Sequence, residues 1–334
     1  MDNRKDNLKI KNIYSLIPLI FALSATSHAA NNTDDYVLLP PTNLYDAPIA
    51  DPRWPKFLIG VSHDFDGNYG KSLWTFDFGE DIGLLKFGNP KYPFEFGIQA
   101  GAFGIMDISS NPSRLLNTDY LVALYISHVH NNFQHLWQIN HQSSHVGDEF
   151  LLSAQAQNFT RINLSCNMIK YSLRYKSSPS FSPYISAGYI FNADPNSIKR
   201  LDFSGGVDLY SKKIIFKDST RLVAGAFINS WEENNYHPSV VVRAGLQYER
   251  VKYCNRFFQF LIEYTGGKSQ QGQFYNTNVQ QLGFLIAFSS GLYTGLTNSG
   301  FLNACIACPN ISAPLIPNPA ILYGDNGFLS LFLF

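Results

Sequence analysis

The chain has 334 residues, with Lys+Arg and Asp+Glu balanced at 25 each, which gives no basic surface and sets nucleic acid aside as a partner. Charged residues make up 15% of it, against about 25% in an average soluble domain. Aromatics are abundant, with 27 Phe and 19 Tyr. Few charges and many aromatics, with no long apolar run after the first residues, suit a barrel whose lipid face is spread over alternate positions.

Met1–Asn12 carries Arg4, Lys5, Lys9 and Lys11, and Ile13–Ala25 is apolar and uncharged. Small residues follow at Ser27, Ala29 and Ala30. This is the pattern of a secretory signal peptide over residues 1–29. A spanning helix needs roughly 20 apolar residues, and this run is shorter and broken by Pro18. Residues 30–56 are rich in Pro and Asp and read as an extended lead-in on the periplasmic side.

From Phe57 the dominant period is two. In Tyr236–Tyr248 one face is Tyr236, Pro238, Val240, Val242, Ala244, Leu246 and Tyr248, and the other carries Ser239, Arg243, Gly245 and Gln247. Arg200–Tyr210, Arg256–Tyr264 and Asn278–Phe288 alternate in the same way. Turn-rich stretches divide the chain into about 12 strands, many near the roughly 9–11 residues a membrane strand needs. The expectation is an all-β fold: a transmembrane antiparallel β-barrel of about 12 strands over residues 57–288, exported to the outer membrane. Residues 289–334 form a C-terminal tail. Either the barrel closes at Phe288, or the tail, which ends in Phe334, supplies a late strand.

Of the four cysteines, Cys166 and Cys254 read as single strand residues. Cys305 and Cys308 make half a zinc site with no second pair. Gly266-Gly267-Lys268-Ser269 lacks the first Gly of a phosphate loop and reads as a turn. Asp202, Asp208, Arg243, Glu249 and Glu263 point to the lumen, where they would line a pore or form a salt-bridged plug.

Asn132–Ser144 offers chemistry. Its odd positions, Phe133, His135, Trp137, Ile139, His141 and Ser143, form the more apolar face, and its even positions are nearly all amides. His141 and Ser143 therefore fall on the lipid side near the outer end of the fifth barrel strand. A serine hydroxyl is a weak nucleophile until an imidazole takes its proton, and that imidazole needs a third group to orient it. The bland reading is a polar rim at the interface, enriched by His128, His130, His135 and His145. A metal site from His128, His130, His141 and His145 is a weaker reading still.

Asn140-His141-Gln142-Ser143 resembles the NHQS segment of the outer-membrane phospholipase A family, also barrels of twelve strands. The lipid A deacylase barrels use a similar His-x-Ser. The resemblance implies His141 as base, Ser143 as nucleophile and an Asn on the next strand as the orienting group. Pairing Ser143 with Arg161 selects Asn163 for that role, with Asn158 and Glu149 as rivals. Here Ser144 follows the nucleophile, where that family has Asn. Calcium assists that family, and Asp148 and Glu149 would be its oxygen ligands here. The resemblance implies a lipid acyl-ester hydrolase acting on outer-membrane phospholipid or lipopolysaccharide, and a homo-dimer. The first reading is nevertheless a structural or passively permeable barrel, with the hydrolase as the alternative.

A broader likeness rests on Ala50–Pro55, His141–Phe150, Arg161–Ser165 and Gly272–Phe274. These stretches resemble an uncharacterised bacterial family of exported, β-rich proteins known only as a domain of unknown function. In that family pattern the chain would end near Phe288.

Overall fold

A computed structural model describes residues 36–290, apart from 41, 177, 179, 216–219 and 250–255. The expected signal peptide, Cys254 and the tail with Cys305 and Cys308 lie outside the described residues. The strands are β1 (Tyr36–Leu38), β2 (Phe57–Asp64), β3 (Ser72–Phe87), β4 (Phe94–Asp107), β5 (Arg114–His130), β6 (Phe133–Val146) and β7 (Ser165–Tyr175). They continue as β8 (Phe181–Asp194), β9 (Leu201–Ile215), β10 (Thr220–Trp231), β11 (Pro238–Tyr248), β12 (Arg256–Lys268) and β13 (Asn278–Ser290).

Each strand from β2 to β13 pairs antiparallel with its sequence neighbours, and β13 pairs back onto β2. The result is a closed barrel of twelve strands, which leaves no open edge within it. Phe288 faces Phe57 across the closing seam, so the wall closes through β13. β3 runs past the start of β2, and β1 covers the overhang by pairing Tyr36–Leu38 with Leu85–Phe87.

The period-two pattern sorts the side chains. In β13, Leu282, Phe284 and Ile286 are exposed while Leu285 and Ala287 are buried. In β6, Trp137 and Ile139 face out while Gln134, Gln138 and Asn140 are buried inside. The outward rows reach 65% exposure at Ile185 and 67% at Phe284. An apolar surface that wraps a closed barrel is a lipid-facing surface.

The interior is not an open channel. Residues 43–56, read from the sequence as part of a lead-in outside the barrel, run inside it. Tyr45, Ile49, Ala50 and Trp54 are all buried. Ile49 packs against Leu58, Val223, Leu261 and Leu285, and Ala50 against Tyr184, Phe227 and Val241. The wall is shaped for this segment. A Cβ on Gly225 would lie 2.9 Å from Ile49 Cβ, and one on Gly79 would lie 2.9 Å from Pro55 Cβ. Composition alone hides the placement, because a Pro-rich segment has the same signature in a linker and in a filled lumen.

Backbone groups in such a segment need partners when buried. Ile49 N donates to Asp208 Oδ1 at 3.0 Å, and Ile49 O accepts from the Arg243 guanidinium at 2.9 Å. Leu44 N donates to Glu95 and Asp46 N to Gln134. Lys176 pairs with Asp46 and Arg53 with Asp119. The lumen charges are paired among themselves too, as Arg243–Glu263, Arg221–Glu249 and Arg174–Asp208. Lys56, buried beside Pro48 and Ile49, donates to both their carbonyls. Its burial, with Arg243 nearby, pushes the ammonium down to about 7.

Both described ends of the barrel, Phe57 and Ser290, lie at its base. The longest connection, 147–164, lies at the opposite rim, as extracellular loops do. There Tyr69, Phe150, Phe159 and Phe274 form a ring cluster, with Phe274 within 5.0–5.3 Å of the other three. The rim loops thus fold inward and cap the barrel.

Candidate functional site

β5, β6 and β7 bring the candidate residues together on the outer wall, close to the rim. The row beneath is apolar: Leu124, Ile139 and Ile169 are all about half exposed. Above them the surface turns polar. His141 pairs across the ladder with Val122 on one side and Asn167 on the other, and Ser143 pairs with Tyr120 and Ser165.

His141 Nδ1 lies 2.9 Å from Asn167 Oδ1. An amide oxygen only accepts, so this contact puts the ring proton on Nδ1 and the lone pair on Nε2. Ser143 lies two residues on, on the same face, roughly 6.8 Å further along the strand. His145 continues the row, its ring 5.6 Å from that of Tyr120.

The third group expected from the sequence was Asn163, and the structure places it elsewhere. Asn163 Nδ2 donates to Asp194 Oδ2 at 2.7 Å. The register explains the difference. Ser143 pairs with Ser165 and not Arg161, a shift of four residues. The loop before β7 takes more chain than expected, because it contains a helical turn at Asp148–Leu151, a 3-10 turn at Ala154–Asn158 and an extended stretch that turns inward. Leu164 is buried there, and its carbonyl accepts from Ser144 N. The alternation of buried Cys166 with outward Asn167 and Ile169 was the available signal for the true register.

The rival Asn158 belongs to that 3-10 turn. The other rival, Glu149, is exposed in the first turn of the short helix beside Asp148. No group of three or more metal-binding side chains occurs among the described residues. Calcium takes 6–8 oxygen ligands, and Asp148 and Glu149 do not make up that set. The histidines also separate. His128 and His135 stack at 5.9 Å near the base, far along the strands from His141 and His145.

Behind the wall, the four sequence stretches singled out above converge. Arg53 pairs with Asp119, which also accepts from Gly272 N at 3.0 Å. Gln273 donates to Ser144 O at 2.9 Å and to Ile162 O at 2.8 Å, and accepts from Ile162 N at 3.3 Å. One amide side chain therefore ties the end of β6, the stretch before β7 and the 269–277 loop.

Residues 22–289 match the model of a family described as a protein of unknown function, DUF1207. The chain belongs to the DUF1207 family. No match to a curated protein was found. Among solved structures, this DUF1207 chain is similar to the outer membrane phospholipase dimer of Salmonella typhi with bound calcium, with TM-score 0.48 and 14% identity over 74% of this chain and 95% of that one. It is similar to outer membrane phospholipase A from Escherichia coli, with TM-score 0.48 and 13% identity over 74% and 94% of the two chains. It is also similar to the NanC porin, with TM-score 0.40 and 10% identity over 71% and 100%. The DUF1207 chain is a closed β-barrel of twelve strands with an apolar outer surface.

Proposed function

We propose that this barrel is a lipid acyl-ester hydrolase working from its outer wall. The observation that carries the reading is the His141–Asn167 contact on the lipid-facing side, two residue pairs below Ser143. Asn167 would hold His141 in the tautomer whose Nε2 is basic. That nitrogen takes the Ser143 proton as the oxygen attacks an ester carbonyl. The acyl group passes to Ser143, the alcohol leaves with the proton, and water releases the acid by the reverse relay.

Depth supports the substrate class. Apolar rows lie below the pair and polar groups around it, and the ester bonds of a membrane lipid lie at that boundary. Phospholipid and lipopolysaccharide both present acyl esters there, and a homo-dimer would enclose the exposed site. The purified protein should release fatty acid from phospholipid or lipopolysaccharide micelles, assayed with and without calcium. Ser143→Ala and His141→Ala should abolish release, and full activity in both variants would refute the reading. Crosslinking in detergent tests the dimer.

The second reading is a structural or passively permeable barrel, favoured by a lumen whose buried charges are paired around residues 43–56. Permeation would then require this segment to move, and conductance in planar bilayers tests that.

A further inference from the structure

Between residues 43–56 and the rim loops lies an interior chamber of about 150 Å³. Trp54, Asn140, Tyr184, Trp231 and Ser239 line it. Each presents a buried polar atom without a hydrogen-bond partner: Nε1 of Trp54 and Trp231, Oδ1 of Asn140, the Tyr184 hydroxyl and Ser239 Oγ. Buried polar groups are nearly always satisfied, so five such atoms around one space point to something that belongs in it.

We propose that the chamber binds one small neutral polyhydroxylated molecule, about the size of a single sugar ring. Most charged groups in the wall already have partners. Arg53 pairs with Asp119, Asp51 accepts from Arg53 N at 2.8 Å, and Asp202 accepts from Asn229 at 2.7 Å. The five buried atoms left without partners are neutral: two N–H donors, one amide acceptor and two hydroxyls that serve either way. Vicinal hydroxyls complement that mixture, while an added anion would meet Asp51 and Asp202 and an added cation would meet Arg53 and Lys170. A cavity of roughly 150 Å³ holds a six-membered ring. The chamber lies on the inner side of the wall, so this site does not depend on the hydrolase reading.

Water would also fill a polar cavity, and the test separates the two. The full protein, folded in detergent, is titrated calorimetrically with myo-inositol and D-glucose, and with gluconate and glucosamine as charged counterparts. Saturable binding is expected for a neutral probe, and about tenfold weaker binding for the charged ones. Trp231→Phe keeps the ring and removes the N–H, and should weaken binding about tenfold, the equivalent of one hydrogen bond. Ser239→Leu should fill the space and abolish binding, with a far-ultraviolet strand spectrum verifying the fold. Ser143→Ala, on the outer wall, should bind as the wild type does. Absence of saturable binding of either neutral probe, or binding that Trp231→Phe leaves unchanged, would overturn the proposal and leave a water-filled space.

Discussion

Arg174 and Asp208 form an ion pair in which neither side chain has any exposure to solvent, with nitrogen and oxygen 2.7 Å apart. The guanidinium also sits over the Tyr184 ring at 4.6 Å and the Tyr45 ring at 5.4 Å. Asp208 at the same time accepts from Ile49 N. One buried carboxylate thus holds both a barrel strand and the segment inside it. Removing one partner of such a pair strands the other charge, at a cost of about 3–5 kcal/mol. Asp208→Ala should lower stability by that order, read as a shift of the urea unfolding midpoint in detergent. Arg174→Met combined with Asp208→Leu should recover much of the loss. A single variant as stable as the wild type would show that the pair contributes nothing.

The register of β6 against β7 separates two asparagines. Asn167→Ala should lower acyl release up to about a hundredfold, since misplacing a catalytic group by about 1 Å costs that much. Asn163→Ala, which loses only its contact with Asp194, should leave release unchanged. The reverse ranking would return the orienting role to Asn163.

The fit of Gly225 to Ile49 predicts how the lumen can be opened. Gly225→Val places side-chain atoms where Ile49 Cβ lies 2.9 Å from the glycine's own absent Cβ. Deleting residues 43–55 removes the obstruction outright. Both variants should conduct more than the wild type in planar bilayers, the deletion more strongly. Equal conductance in all three would show that the segment does not limit passage.

Lys56 predicts a pH dependence. Its ammonium is pushed down to about 7 in the folded chain, from 10.5. Below pH 7 both the folded and the unfolded chain carry the charge, and the folded state bears the full cost of burying it. Between about 7 and 10.5 the folded chain releases its proton first, so unfolded chains bind more protons and stability rises with pH. Unfolding midpoints measured from pH 7 to 10.5 should therefore climb, and the climb should flatten in Lys56→Met. Identical slopes in the two proteins would rule out Lys56 as the source.

The wall was legible because period two is a direct consequence of strand geometry. Leu282, Phe284 and Ile286 announce their face without any tertiary information. His141 and Ser143 were legible for the same reason. The contact of Asn167 with His141 was missed because register depends on how much chain a loop takes, and the helical turn at Asp148–Leu151 has no signal strong enough to place β7 to the residue. The interior role of Leu44–Trp54 was missed for a different reason. Its hydrogen bonds run to Asp208, Arg243 and Glu95, between 51 and 194 residues away in sequence, and no local pattern encodes partners so distant.

The seam between β2 and β13 closes more than the wall. Residues 43–56 lead directly into β2, and β2 meets the last strand of the barrel. Ile49 and Ala50 are enclosed by residues of β2, β8, β10, β11, β12 and β13. That packing is complete only when β13 pairs with β2, so the enclosure of the segment and the closing of the wall depend on the same seam.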